Sequence, residues 1–141
     1  MLSVIRTTRP EPSILGTDTF TGGAVWRDAL LSDPDSGVTL GQVVFSPGAR
    51  THWHTHDGGQ VLIMVAGEGF VADADGAVRV HAGDIVWTPG GVRHWHGASA
   101  GNFLIHTTIS LGGVAWEEAV SELEYLGATG RYTSDRHDEF G

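Results

Sequence analysis

The chain has no cysteine, which excludes disulfides, thiolate metal ligands and a cysteine nucleophile together. It has no lysine either, since all eight basic residues are arginine. Schiff-base chemistry, a lysine general base and a phosphate-loop lysine are thereby excluded. Positive charge as a whole is scarce: eight basic residues face seventeen acidic ones, for a formal net charge of −9. A sequence-independent grip on nucleic-acid phosphates needs a basic face, so no nucleic-acid partner is expected. No apolar run approaches the roughly eighteen residues of a membrane-spanning helix, so no membrane partner is expected. Met1-Leu-Ser-Val-Ile-Arg6 meets an arginine before any signal-peptide core develops, and the protein is expected to be cytoplasmic. Left for chemistry are histidine, carboxylate, hydroxyl and amide groups, and a metal that they could hold.

What is present points to one β-rich domain. A chain of 141 residues, 40% of them apolar, is long enough for a core without staples. Twenty-one glycines spread between short apolar runs signal many tight turns. Pro10-Glu-Pro12 and its polar surroundings read as an extended arm over 1–22. Val38 to Phe45 reads as a strand. Val61 to Ala66 is short and continuously apolar, as for a strand buried on both faces. Gly67-Glu-Gly69 reads as a tight hairpin turn with Gly69 to Asp73 as the returning strand, and Asp73 to Gly76 reads as another turn. Val78 to His81, Asp84 to Thr88, Val92 to Gly97 and Phe103 to Leu111 complete at least seven strands of a sandwich or barrel. The spacing of Trp116, Val120 and Leu123 predicts a helix over Ala115 to Leu126, packed on the barrel. Glu117 and Glu118 would sit in its first turn and Gly127 would stop it. A polar tail would fill 127–141.

Six of the eight histidines fall into three clusters: His52, His54 and His56, then His94 and His96, then His106 alone. Residues two apart in a strand share a face, so His54 and His56 point together, as do His94 and His96. Neutral imidazole is the commonest metal ligand, and two strands carrying such pairs build a pocket of nitrogen donors. The same alternation puts Trp53 and Trp95 on the opposite face, as packing residues. His52 would share the ligand face or sit at the barrel mouth. Arg50 and Arg93 flank the clusters and could attract an anion. His81 and His137 read as ordinary surface residues. Gly97-Ala-Ser-Ala-Gly101 matches the serine-hydrolase elbow formally, but that elbow needs a strand-to-helix turn in a parallel sheet and this stretch links two barrel strands, so it is rejected.

The chain resembles the cupin family over Gly41 to His106. The first cupin motif is matched by Gly48, His54-Thr-His56, Gln60 and Gly67, the second by Gly83, Pro89-Gly-Gly91 and His94. Two positions depart from the pattern: Gln60 stands where Glu is usual, and Ala98 where Asn is. The stretches from Pro47 to His56 and Gly83 to Ala98, with Gln60 and His106, resemble a bacterial subgroup of small manganese-binding cupins that includes the cupin-type hydroxynitrile lyases.

That resemblance implies an all-β, single-domain, jelly-roll-like cupin barrel with a short C-terminal helix, forming a homodimer or higher homo-oligomer. It implies His54, His56, Gln60 and His94 as ligands of a divalent transition metal, manganese first. The same donors also accept Fe, Zn, Ni or Co. It implies a metal-dependent enzyme on a small polar substrate, with hydroxynitrile-lyase-like C–C bond cleavage and His106 and His96 as acid/base residues. A metal-dependent oxygenase, cyclase or isomerase, or a non-catalytic small-molecule-binding cupin, stays open beside it. Replacing Glu by Gln60 removes one negative charge from the ligand set, leaving the ion's full charge to polarise a bound group.

Overall fold

A computed structural model describes residues 1–9 and 11–130. His137 and the tail beyond residue 130 lie outside the described residues. The elements in chain order are β1 (Ile14–Leu15), β2 (Phe20–Thr21), β3 (Val25–Asp33), β4 (Val38–Phe45), β5 (Arg50–Thr51) and β6 (His54–His56). They continue with β7 (Gln60–Asp73), β8 (Gly76–His81), β9 (Ile85–Thr88), β10 (Trp95–Ala98), β11 (Leu104–Leu111), β12 (Val114–Trp116) and α1 (Glu122–Thr129). The protein is therefore all-β with one short helix, as expected. Two of the strands, β1 and β2, lie within the first 22 residues. They add to β3 and β5, respectively. Among the described residues no helix is long and apolar enough to cross a membrane.

All pairing is antiparallel, and β7 holds the barrel together. Its first half runs between β9 and β11, and its second half between β8 and β10. From the first half the wall continues through β4, β3 and β1. From the second it continues through β5 and β2. Gly67-Glu-Gly69 is thus not a hairpin turn, contrary to the sequence reading; the strand passes straight through it. Both glycines are needed for close approach instead. A Cβ on Gly67, whose φ is +83°, would collide with the carbonyl oxygen of Phe103, and one on Gly69 with that of Gly97. Nor is Val61 to Ala66 buried on both faces. Leu62 and Met64 are buried, whereas Val65 is exposed beside a bulge opposite Ile105 and His106.

Alternation divides each wall into two faces. Inward, Val25, Phe45, Leu62, Met64 and Leu104 form the core between the walls. One inward row runs Arg27, Val43, His106, Met64 across β3, β4, β11 and β7. On the outside of the second wall Trp53, Phe70, Trp95, Val120 and Tyr125 form a separate cluster. Each large apolar side chain buried in full contributes about 1.5–3 kcal/mol.

The helix starts later than predicted. Glu117 N–H donates to the Trp53 carbonyl at 2.8 Å and Trp53 N–H to the Glu118 carbonyl at 3.0 Å. Val114 to Trp116 pairs with His54 to His56 as β12. A segment held in this ladder cannot coil, so the helix waits for Ser121, whose hydroxyl accepts the Glu124 N–H at 3.1 Å. Trp116, Val120 and Leu123 form no stripe: Val120 is buried and Leu123 is exposed. Gly127 lies inside the helix, which ends at Gly130.

Candidate metal centre

Three strands and a loop bring the histidines together. His54 and His56 stand on β6, and His54 exchanges both backbone hydrogen bonds with His94, at 2.9 and 3.0 Å. The alternation read from the sequence is what points these side chains inward. The ligand atoms of His54, His56 and His94 lie within 4.8 Å of one another, and all three residues are buried. Gln60 opens β7 beside them, with Oε1 3.3 Å from His94 Nε2.

The donor chemistry fits a cation. Nδ1–H of His54 donates to the His52 carbonyl at 2.9 Å, and Nδ1–H of His94 to the Val92 carbonyl at 3.0 Å. In these neutral tautomers each Nε2 keeps a bare lone pair. Gln60 is oriented by its Nε2 donating to Ser110 Oγ at 3.1 Å, which turns Oε1 toward His94. Two acceptors, His94 Nε2 and Gln60 Oε1, therefore face each other, an arrangement that a shared cation reconciles. His56 carries the same signature, since neither ring nitrogen has a hydrogen-bond partner although both are buried. The three histidines can hold one metal ion.

Burial keeps these rings neutral. It pushes His54 down to about 3, helped by the charge of His94. Burial and His94 push His56 to about 4. His94 is also lowered by burial. None of them opposes a cation with a charge of its own at neutral pH.

His96 on β10 and His106 on β11 form a second imidazole pair, with His106 Nε2 3.0 Å from His96 Nδ1. Both are buried, and burial lowers His96 well below its usual value and His106 to about 4. His96 Nε2 and His106 Nδ1 have no hydrogen-bond partner. A cavity of about 380 Å³ between the walls touches His54, His56, Gln60 and His96, but not His106, which stands behind His96. Its remaining walls include Phe20, Val43, Phe45, Thr108, Trp116 and Arg27. A larger groove of about 590 Å³ between β8 and β9 touches only His94 of the clustered histidines, so the smaller cavity is the one with the chemistry.

Several residues do something other than the sequence suggested. His52 is half-buried and contributes its carbonyl to His54. Arg50 attracts no free anion. It is buried, bonds the Val120 carbonyl through two nitrogens and Glu122 through a third, and lies 4.5 Å over the Tyr125 ring. Arg93 is likewise committed, to Glu117 and Glu118, with its guanidinium 3.9 Å over Trp53. Trp53 and Trp95 do pack on the opposite face, as expected. Two cavity residues escaped the sequence reading. Trp116, placed in a helix by its spacing, instead lays its indole 4.6 Å from the His54 ring. Ser110 was legible in principle, because it lies two strand periods beyond His106 on the same face.

Similar proteins agree with this picture. The cupin domain family matches residues 41–104. An (R)-mandelonitrile lyase of Granulicella tundricola is 50% identical over 62 residues, covering 43% of this chain and 47% of that enzyme. The match thus spans about half the length of that curated relative. A polyketide cyclase from Streptomyces resistomycificus shares the fold, with a TM-score of 0.67 at 17% identity over 89% of this chain and 92% of its own. A cupin-like protein from Thermotoga maritima superimposes with a TM-score of 0.81 at 41% identity, covering 86% of this chain and 97% of that one. Identity of that order over most of both chains, with the domain match centred on the histidines, means that this chain belongs to the cupin family.

Proposed function

We propose that the chain is a metal-dependent lyase that cleaves small cyanohydrins to a carbonyl compound and hydrogen cyanide. His54, His56, Gln60 and His94 would hold the divalent metal, with manganese the first choice and Fe, Zn, Ni or Co the alternatives. When bound, such an ion supplies Lewis-acid polarisation of a hydroxyl or cyano group. The half-length identity to the mandelonitrile lyase supports the reaction class. The observation that carries the reading is the buried His96–His106 pair at 3.0 Å, beside the donor cluster, with His96 at the wall of the same cavity.

The chain's own residues can run the proton chemistry. With His106 Nε2 accepting Nδ1–H of His96, Nε2 of His96 is left as a lone pair in a ring that lines the cavity. It takes the hydroxyl proton of the cyanohydrin. The O–H electron pair becomes the second bond of the carbonyl, the C–C pair leaves with cyanide, and the proton returns to cyanide. His106 positions His96 and fixes its tautomer. Gln60, being neutral, subtracts no charge from the site, and Trp116 and Phe20 wall the cavity on its apolar side.

Metal-loaded protein is expected to release cyanide from racemic mandelonitrile faster than metal-free protein. Equal rates across several cyanohydrins remove the lyase reading. His96→Ala is expected to lose about 10²–10⁴-fold in rate, the range for a lost acid/base contribution, and His106→Ala to keep its metal and lose less, because His96 remains but its tautomer is no longer fixed. Loss of metal in that variant would reassign His106 as a ligand. Self-association belongs to the same proposal and is supported by Trp26, Val65, Ile85 and Trp87, exposed apolar side chains of the β-sheets. A monomeric mass by light scattering at micromolar concentration removes it.

A further inference from the structure

Arg27 is unlike three other arginines of the chain. Arg9, Arg50 and Arg93 are each paired with a carboxylate. Among the described residues no carboxylate pairs with Arg27. Its guanidinium instead lies 5.9 Å from the centre of the Phe20 ring. It is exposed, but the strand register sets it in the row Arg27, Val43, His106, at the open end of that row. It also lines the cavity that holds the donor cluster. Asp28, next in sequence, borders the same cavity, although the register places it opposite Gln42, outside the row of Arg27. Arg27 and Asp28 are the charged residues that line the cavity, and Arg27 is its one arginine.

We infer that Arg27 is the anion-binding end of the cavity and that the physiological substrate carries a carboxylate. This rests on the cavity being the reaction site proposed above. A guanidinium offers two parallel N–H donors that match a carboxylate and also stacks on aromatic faces, and Arg27 already sits on one. Between Arg27 and His106 lie two inter-strand steps, about 10 Å of backbone separation. Val43, Phe45 and Phe20 fill the interval with apolar surface, and Phe20 touches both Phe45 and Trp116 with ring centres 6.2 and 6.3 Å apart. A small carboxylate with an apolar body fits this sequence of surfaces: charge at Arg27, body across the aromatic floor, reacting end at His96 and the donor cluster. Mandelonitrile lacks the anion, so it would be a poor substrate even if the chemistry is right.

The test compares phenylacetate with its neutral counterpart phenylacetamide, titrated calorimetrically into full-length protein at matched metal load. Matched load makes any contact of the probe with metal common to all variants. The wild-type protein is expected to bind phenylacetate more tightly than the amide. Arg27→Ala is expected to weaken phenylacetate about tenfold or more, as for loss of a charge-assisted pair. It should shift phenylacetamide less than twofold and leave metal stoichiometry unchanged, with Arg27→Lys recovering part of the loss. Equal weakening of both probes, no weakening of phenylacetate, or a wild-type protein that binds phenylacetate no more tightly than the amide overturns the inference. Cyanide release is measured separately. Its absence alongside a charge-specific Arg27 effect sinks the lyase reading and leaves this subsite standing, and the reverse result does the opposite.

Discussion

The two faces of the same short segments make opposite bargains with polarity. In His52-Trp53-His54 and His94-Trp95-His96, alternate residues go to different sides of one wall. Outside, Trp53 and Trp95 pack with Val120 and Tyr125. There the Tyr125 hydroxyl donates to the Ala98 carbonyl at 2.7 Å, and Arg50 and Arg93 have carboxylate and carbonyl partners, with the Trp95 indole nitrogen the one exception among these groups. Inside, His56, His96 and His106 keep nitrogens with no partner, and two acceptors face each other at His94 and Gln60. Identical backbone geometry thus serves stability on one side and leaves binding capacity on the other. An unsatisfied buried polar group costs roughly 1–3 kcal/mol, so the inner face is stable only because the outer face and core support it.

Three experiments separate the faces by their effect on stability. The largest effect should come from acid acting on the inner face. The buried histidines have folded pKa values depressed below 6.5, to about 3 for His54 and about 4 for His56 and His106. Between those values and 6.5 the unfolded chain binds protons that the folded chain does not. Stability is therefore present in full above pH 6.5 and lost as pH falls toward 4, at up to about 1.4 kcal/mol per pH unit for each such histidine. Urea denaturation of metal-free protein at pH 7.5, 6 and 5 should show this steep decline. A flat profile would mean that the inner face is as well satisfied as the outer.

Next in size is the outer face. Trp95→Ala removes a fully buried indole and should cost about 3–5 kcal/mol by denaturant titration at pH 7.5. A cost below about 1 kcal/mol would show that the cluster under the helix is not what supports this wall. The smallest change in stability belongs to His56→Ala. It deletes two unsatisfied nitrogens, so metal-free protein should shift by less than about 1 kcal/mol, the lost packing offset by the lost desolvation penalty. Stoichiometric metal, measured by elemental analysis, should nevertheless disappear. Full metal retention in that variant would remove His56 from the ligand set.

Strand period made the clustering of these histidines legible in the sequence. A repeat of two, interrupted by tryptophan, leaves little freedom about which side chains converge. Val38 to Phe45 was legible for a similar reason, as an apolar run closed by Ser46-Pro-Gly48. Less was legible where long-range partners override local signals. Gly67 and Gly69 look like a turn because close backbone contact and a reversal call for the same residue. Trp116 has helical spacing with Val120, but β6 offered its backbone a ladder first. Ser121 followed by Glu124 was the better helix start, and it was readable as a capping sequence. Arg50 looked like a surface charge because sequence carries no sign that Val120 and Tyr125, seventy residues later, would bury it. The β3 strand went unread because its exposed and half-buried residues lack a clean alternation.

The paired backbone hydrogen bonds between His54 and His94 have a consequence in time. They join segments far apart along the chain, and such closures are slow because chain entropy must be lost before the contact repays it. The donor cluster therefore exists only once that closure is made. An unfolded chain has no centre at which to capture a stray ion, and a metal held across this closure would chiefly slow its reopening.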